Sequence, residues 1–322
     1  MVYKPIIVVA GEPNSIFSEI FFKSIKYKKF KSPIILIASQ QLIQLQMKKL
    51  NVKRKIRLIN FSNLKKYNLD NTKINLINVN FSQNKPFDII TGKSNVYIKK
   101  SFDIALKILN KKITNKLING PISKKYFLKK KYLGITEYLA YRTNSKNFAM
   151  LIHNEKLSVC PLTTHLPLKK VPKYINKKMI KQKIKLLNMF YKKYLNRKPL
   201  IAVTGLNPHC ESIDAFNEDE KIVRPIVKSL IKSNYKTSGP HAADTIFLKK
   251  NRNQFDVIVG MYHDQVLTPM KTLFEYDAIN ITVGLPFLRI SPDHGPNEKM
   301  IGKNKSNPLS LIKALTFLDT KK

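Results

Sequence analysis

Short apolar runs alternate along this chain with longer stretches whose apolar positions recur at helical spacing. Residues 5–9 and 33–38 predict strands. Between them, residues 15–25 place Ile16, Ile20, Phe21 and Ile25 on one helical face. A second helix is predicted over 40–50, and residues 116–119 predict a strand that ends in Gly120-Pro121. Downstream, strands are predicted at 148–152, 157–162, 200–203, 255–259 and 278–283, with helices at 177–194 and 218–231. The Lys/Asn-rich stretch 51–85 has no clear period, and neither an internal repeat nor a linker is visible. Strands alternating with helices predict α/β layers around a largely parallel sheet.

A length of 322 residues allows one large or two medium domains, and 43% hydrophobic residues suffice for a proper interior. No run is long and apolar enough for a membrane span, and the short apolar N-terminus reads as a first strand, not a signal peptide. The two cysteines, Cys160 and Cys210, indicate no disulfide framework, so a reducing cytoplasm is expected. The formal net charge is +39. Nucleic-acid binding would explain it, but lysine outnumbers arginine 52 to 7, tryptophan is absent and the lysines are scattered. Readers of nucleic acid rely on arginine for forked contacts. Compositional drift is therefore the better account, with neither nucleic acid nor membrane as partner. The charge still favours acidic substrates such as phosphates and salt-sensitive binding.

There are ten glycines, nearly all predicted just after strands or inside loops, where open α/β sheets bind ligands. Three segments share one design, an apolar strand followed by a turn carrying histidine. They are 160–165, 202–209 and 259–265, and carry His165, His209 and His263. A lone loop histidine is most simply a partner for backbone. Three in the same setting, half of all the histidines, point to one divalent metal with open positions for substrate. Lys271 and the scarce Arg289 suit a phosphorylated substrate. Asp264 and Asp244 are candidates for orienting imidazoles, with a helix-cap role equally open for Asp244. Cys210 beside His209 reads as a small buried side chain ahead of a thiolate ligand, and His153 and His241 read as surface-loop residues. No G-x-G-x-x-G, P-loop or G-x-S-x-G motif occurs, and Gly92-Lys93-Ser94 is only a fragment, so local sequence makes no independent case for NAD.

The ordered set Gly11-Glu12-Pro13, Gly134 to Ala140, Thr163 to Leu168, Gly205 to His209, Ala243 to Phe247, Tyr262 to Gln265 and Gly284 to Arg289 resembles the 4-hydroxythreonine-4-phosphate dehydrogenase family, from about residue 5 to about 318. The resemblance implies an isopropylmalate dehydrogenase-like α/β fold, with two α/β/α domains and a cleft between them. Expected boundaries are 1–135 plus 285–322 for a discontinuous nucleotide-side domain, and 136–284 for a metal, substrate and dimerisation domain. It implies a homodimer whose active sites are shared, with His165, His209 and His263 as metal ligands drawn from both subunits. Thr136, Lys271, Asn280 and Arg289 fall on substrate-binding positions, and Asp244, Asp264 and Lys271 form the expected catalytic set. The segment from Asp293 to Pro308, with His294, Gly295 and Gly302, is similar to the nucleotide loop of the isopropylmalate dehydrogenase group. That similarity implies NAD.

The implied reaction is NAD-dependent oxidation of 4-phosphohydroxy-L-threonine, a small phosphorylated hydroxy amino acid, assisted by a divalent ion (Zn, Mg or Co). The oxo acid then loses carbon dioxide, a step of pyridoxal phosphate synthesis. Two other readings remain: a sister dehydrogenase of phosphorylated threonate or erythronate, and a basic binding protein that has lost catalysis. The chain also departs from the family. Ile135 stands where the family places a substrate-binding histidine, and a glycine-rich stretch is replaced by residues 210–217. Val266 replaces a glycine, and Pro296 and Asn297 replace small residues.

Overall fold

The structure is a computed structural model describing residues 3–128, 131–292 and 294–321. The strands are β1 (Ile6–Val9), β2 (Ile34–Ala38), β3 (Ile56–Leu58), β4 (Ile74–Asn78), β5 (Lys116–Asn119), β6 (Ala149–His153), β7 (Ser158–Pro161), β8 (Ile201–Thr204), β9 (Thr237–His241), β10 (Val257–Gly260), β11 (Ile279–Val283) and β12 (Leu288–Pro292). The α-helices are α1 (Phe17–Tyr27), α2 (Gln40–Lys49), α3 (Asn95–Asn110), α4 (Ile135–Arg142), α5 (Val171–Tyr174), α6 (Lys177–Leu195), α7 (Arg224–Lys232), α8 (Lys249–Arg252), α9 (His263–Phe274) and α10 (Leu309–Asp319). The chain divides into one unit of residues 1–139 plus 286–322 and a second of residues 140–285. Among the described residues, no helix is long and apolar enough to cross a membrane.

In the first unit the strand order is β3-β4-β2-β1-β5-β12, and every pairing is parallel. β1, β2 and β5 are fully buried, because helices cover both faces of a parallel sheet and leave no polar side for alternation. Gly11, in the loop just after β1, has φ +79°, and a Cβ there would sit 2.4 Å from the Pro121 carbonyl oxygen. Only glycine lets these two strand-end loops approach so closely.

In the second unit the order is β11-β6-β7-β10-β8-β9. β6 runs antiparallel to β11 and β7, while β7, β10, β8 and β9 are mutually parallel. A buried cluster that includes Val159, Ala202, Ile258, Val266 and Met270 packs α9 onto this sheet. The expected mixed α/β, largely parallel architecture is what the structure shows.

Several elements differ from the sequence expectation. The unassigned stretch 51–85 contains β3 and β4. β4 carries a buried Asn75 whose amide donates to Ile34 O and Asp70 O, so a polar residue occupies an interior position. β9 reads Thr-Ser-Gly-Pro-His and has no apolar pattern; it forms by pairing with β8. His153 and His241 are not surface-loop residues. His153 ends β6, is 8% exposed and shares a 2.8 Å hydrogen bond with Ser158. His241 ends β9, bonds Ser238 Oγ, and burial lowers its pKa.

Candidate active site

The three histidines follow the C-terminal ends of β7, β8 and β10, which are adjacent and parallel in the second unit. Side chains tie the three turns together. Thr163, two residues before His165, donates its hydroxyl to Met261 O at 2.8 Å, and its own N–H bonds the same oxygen. Gln265 Oε1 accepts from Met261 N at 2.7 Å and from Thr204 Oγ1 at 2.8 Å, while its Nε2 donates to Gly205 O at 2.8 Å. The β10 turn is thereby bonded to both of its neighbours. Asp219, fully buried, accepts from Leu206 N at 2.7 Å and Asn207 N at 3.0 Å, which sets the path of the turn into His209. A buried carboxylate held by backbone N–H groups is a strong local constraint.

His165 and His263 come together, with ring centroids 5.9 Å apart. His263 opens α9, and its Nδ1 donates to Asp264 Oδ1 at 2.7 Å. A proton on Nδ1 directed at Asp264 leaves Nε2 with its lone pair available. His209 is exposed in a left-handed conformation, φ 53°, followed by Cys210 at φ 64°. Two imidazoles with a supporting carboxylate suit a borderline divalent ion. Among the described residues, however, no group of three or more ligating side chains is gathered within one chain. Asp244 is exposed in the 242–247 turn and bonds none of the imidazoles among the described residues. Lys271 lies half-buried in the last turn of α9. Asn280 is half-buried on β11, with its Oδ1 buried and unpartnered among the described residues. Cys210 is buried, and burial raises its thiol pKa, as the small-side-chain reading requires.

In the first unit Arg289 is a fully buried cation on β12. Its Nε donates to Asn119 Oδ1 at 2.7 Å and its Nη1 to Thr136 Oγ1 at 3.2 Å. Burial lowers its pKa to about 10, with Glu137 opposing. Thr136 is buried in the first turn of α4, and Ile135 beside it is half-buried. Two of the expected substrate residues, Thr136 and Arg289, are thus in direct contact.

The expected nucleotide segment lies in the same unit. His294 Nδ1 is 3.0 Å from Gly295 O, and Gly295 has open space around it. Gly302 takes φ +70° against the Phe87 ring, and Asp293 lies outside the described residues. Pro296 O accepts from Ile16 N, joining this segment to the loop after β1.

Sequence reasoning placed Glu12 in a motif but gave it no role; it is 1% exposed in that loop. Ser94 donates to its Oε2 at 2.9 Å and Asn14 N to its Oε1 at 3.4 Å. Burial, the dominant cause, pushes its pKa up to about 7. The bonds from Ser94 and Asn14 oppose this, and Glu298 adds a smaller rise. The positioning roles of Thr163, Gln265 and Asp219 were also missed. Thr163 and Gln265 lie inside the quoted motifs, whereas Asp219 gives no local signal because its partners lie twelve and thirteen residues away.

The sequence model of the family described as "Pyridoxal phosphate biosynthetic protein PdxA" matches residues 29–318. The chain is 37% identical over 319 residues to 4-hydroxythreonine-4-phosphate dehydrogenase of Sulfurihydrogenibium sp., covering 96% of this chain and 95% of that protein. It is 39% identical over 181 residues to D-threonate 4-phosphate dehydrogenase of Pectobacterium atrosepticum, covering 56% of each. Among solved structures, 4-hydroxythreonine-4-phosphate dehydrogenase of Klebsiella pneumoniae superposes with a TM-score of 0.85 at 28% identity, over 98% of this chain and 97% of that one. Together with the strand order and the three histidine turns, these matches place the chain in the PdxA family.

Proposed function

We propose that this protein is an NAD-dependent, metal-assisted dehydrogenase that oxidises the 3-hydroxyl of 4-phosphohydroxy-L-threonine. The carbon-bound hydrogen leaves as hydride to NAD and the hydroxyl gives up its proton. The resulting 2-amino-3-oxo-4-phosphohydroxybutanoate loses carbon dioxide to give 3-amino-2-oxopropyl phosphate. The observation that carries this reading is the convergence of three histidine-bearing turns at the ends of three adjacent parallel strands, cross-bonded through Thr163 and Gln265.

His165, His209 and His263 are the metal ligands in this reading, shared across a homodimer as the family resemblance implies; among the described residues one chain does not gather all three. A divalent ion bound there would acidify the substrate hydroxyl and orient it for hydride loss. Asp264 holds the His263 ring with Nε2 available. Arg289, kept in place by Asn119 and Thr136, supplies a buried guanidinium for the charged end of the substrate. Lys271 and Asn280 complete the substrate set and Asp244 the catalytic set, as the family resemblance implies. His294, Gly295 and Gly302 belong to the NAD segment, and the cytoplasm is the proposed compartment.

The relative acting on D-threonate 4-phosphate gives a second reading, in which the substrate lacks the amino group. NADH formation is measured with each substrate, before and after removal of metal by a chelator. Turnover on 4-phosphohydroxy-L-threonine that is lost on chelation and regained with a divalent ion supports the proposal. Faster turnover on the threonate ester assigns the second reading, and no NADH with either substrate refutes both.

A further inference from the structure

The loop after β1 is bonded on two sides to segments that carry other candidate residues of the first unit. Glu12 N donates to Pro121 O at 2.8 Å, just beyond β5, and β5 ends in Asn119, the acceptor of Arg289. Ile16 N donates to Pro296 O at 3.2 Å, in the proposed nucleotide segment. The loop thus runs from the neighbourhood of the substrate arginine to the cofactor segment, all within one unit. Its shape is held by the Glu12 side chain, whose Oε1 takes the Asn14 N–H and whose Oε2 meets Ser94 Oγ at the start of α3. Asn14 extends this hold to a third segment, accepting from Gln83 Nε2 at 3.0 Å and from Asp88 N at 2.9 Å.

The hydrogens available at Ser94 bear on the state of Glu12. Ser94 Oγ lies 2.9 Å from Glu12 Oε2 and 3.2 Å from Thr91 O, and both of these are acceptors when Glu12 is ionised. A hydroxyl carries one proton and cannot serve both in full. A neutral Glu12 removes the conflict, because it donates to Ser94 Oγ and Ser94 then donates to Thr91 O. The ionisable side chains that interact with Glu12 are Glu298 of the nucleotide segment and Tyr97 of α3. Glu298 is acidic and burial keeps the Tyr97 phenol neutral, so neither is a counter-charge. Asp88 and Lys93, in the adjoining segments, are exposed to water.

We propose that Glu12 is a positioning residue for hydride transfer: as a neutral acid it fixes the loop that joins the nucleotide segment to the Arg289 end of the site. The proposal rests on the NAD-dependent reading above. Ionisation commits the Ser94 proton to Glu12, strips Thr91 O of its donor and leaves a buried anion close to the segment that would meet the NAD pyrophosphate. Binding of that anionic cofactor raises the Glu12 pKa further, so by linkage the ionised form binds NAD more weakly. A further rise of about one corresponds to about tenfold in affinity. Full affinity is present below the free-enzyme value of about 7 and is lost as pH rises through the higher value of the complex.

Fluorescence titration with NADH, without substrate, at about pH 6 and about pH 9 tests this in the parent, Glu12→Gln and Glu12→Ala. The parent should bind about tenfold more weakly at the higher pH. Glutamine is neutral at both and should bind at both as the parent does in acid. Alanine removes the anchor and should bind weakly at both, so that glutamine rescues what alanine loses. Infrared difference spectra of parent against Glu12→Gln should show one protonated carboxyl band in acid that disappears at the higher pH. A parent affinity independent of pH, a glutamine variant that weakens as the parent does, or a missing carboxyl band overturns the inference and leaves the NAD reading intact. An alanine variant as tight as the parent in acid shows that Glu12 positions nothing. No NADH binding at either pH overturns the inference and the NAD reading together.

Discussion

Replacing Glu12 by Gln should stabilise the protein above neutrality and leave it unchanged in acid. Glu12 is 1% exposed, and its pKa is pushed from the ordinary 4.5 up to about 7, chiefly by burial. A group whose folded pKa is raised contributes stability that is fully present below its unfolded pKa and is lost as pH rises through the folded value. The window is therefore pH 4.5 to about 7. At 1.36 kcal/mol per pH unit, ionised Glu12 costs the folded state about 3 kcal/mol above that window. Glutamine keeps an oxygen for the Ser94 hydroxyl, gives up only the long 3.4 Å bond from Asn14 N, and carries no charge to bury. Urea denaturation of parent and variant side by side is the assay. With a slope of about 3 kcal/mol per molar urea, the variant midpoint should rise by about 1 M at pH 8 and coincide with the parent at pH 4.5. An equal shift at both pH values, or a fall at pH 8, would show that Glu12 is not a buried carboxylate bearing that cost.

Asp219→Asn replaces an acceptor of two backbone N–H groups with an amide that can satisfy only one, so a loss of about 1.5–3 kcal/mol is expected in thermal or urea denaturation. Metal retained per chain should fall with it, and unchanged stability would refute the assigned role. Ile135→His should lower the KM for the phosphorylated substrate by about tenfold, with kcat within a few-fold, as added uniform binding predicts. An unchanged KM would mean that the half-buried Ile135 site does not face substrate. Neither His209→Ala nor His263→Ala should hold metal or turn over alone. After subunit exchange the mixture should recover part of the activity; failure despite demonstrated exchange would count against ligands shared across a homodimer.

The apolar runs of β1, β2 and β5 were readable from sequence because burial on both faces demands continuous hydrophobicity. The histidine-bearing turns were readable for a related reason. A strand end is visible locally, and the residue type placed just after it is chemistry held within a few positions. The elements that escaped were those whose stability comes from neighbours distant in sequence. β9 has no pattern of its own and exists because β8 offers an edge. β12 buries Arg289 in full, which no hydropathy reading predicts, because its bonds to Asn119 and Thr136 reach back 170 and 153 positions. His153 looked like a loop residue until Ser158, itself bonded to Tyr191, supplied a buried partner. The sequence by itself thus determined the layering, the family and the candidate ligands, all properties of local pattern and ordered motifs. Only the tertiary structure decided what holds those ligands in place, with Thr163 and Gln265 bridging the turns and Asp219 anchoring the third, and only it showed Glu12 buried in the loop after β1. Each depends on a hydrogen bond that forms only after separate segments have been packed, when water is no longer available to replace it.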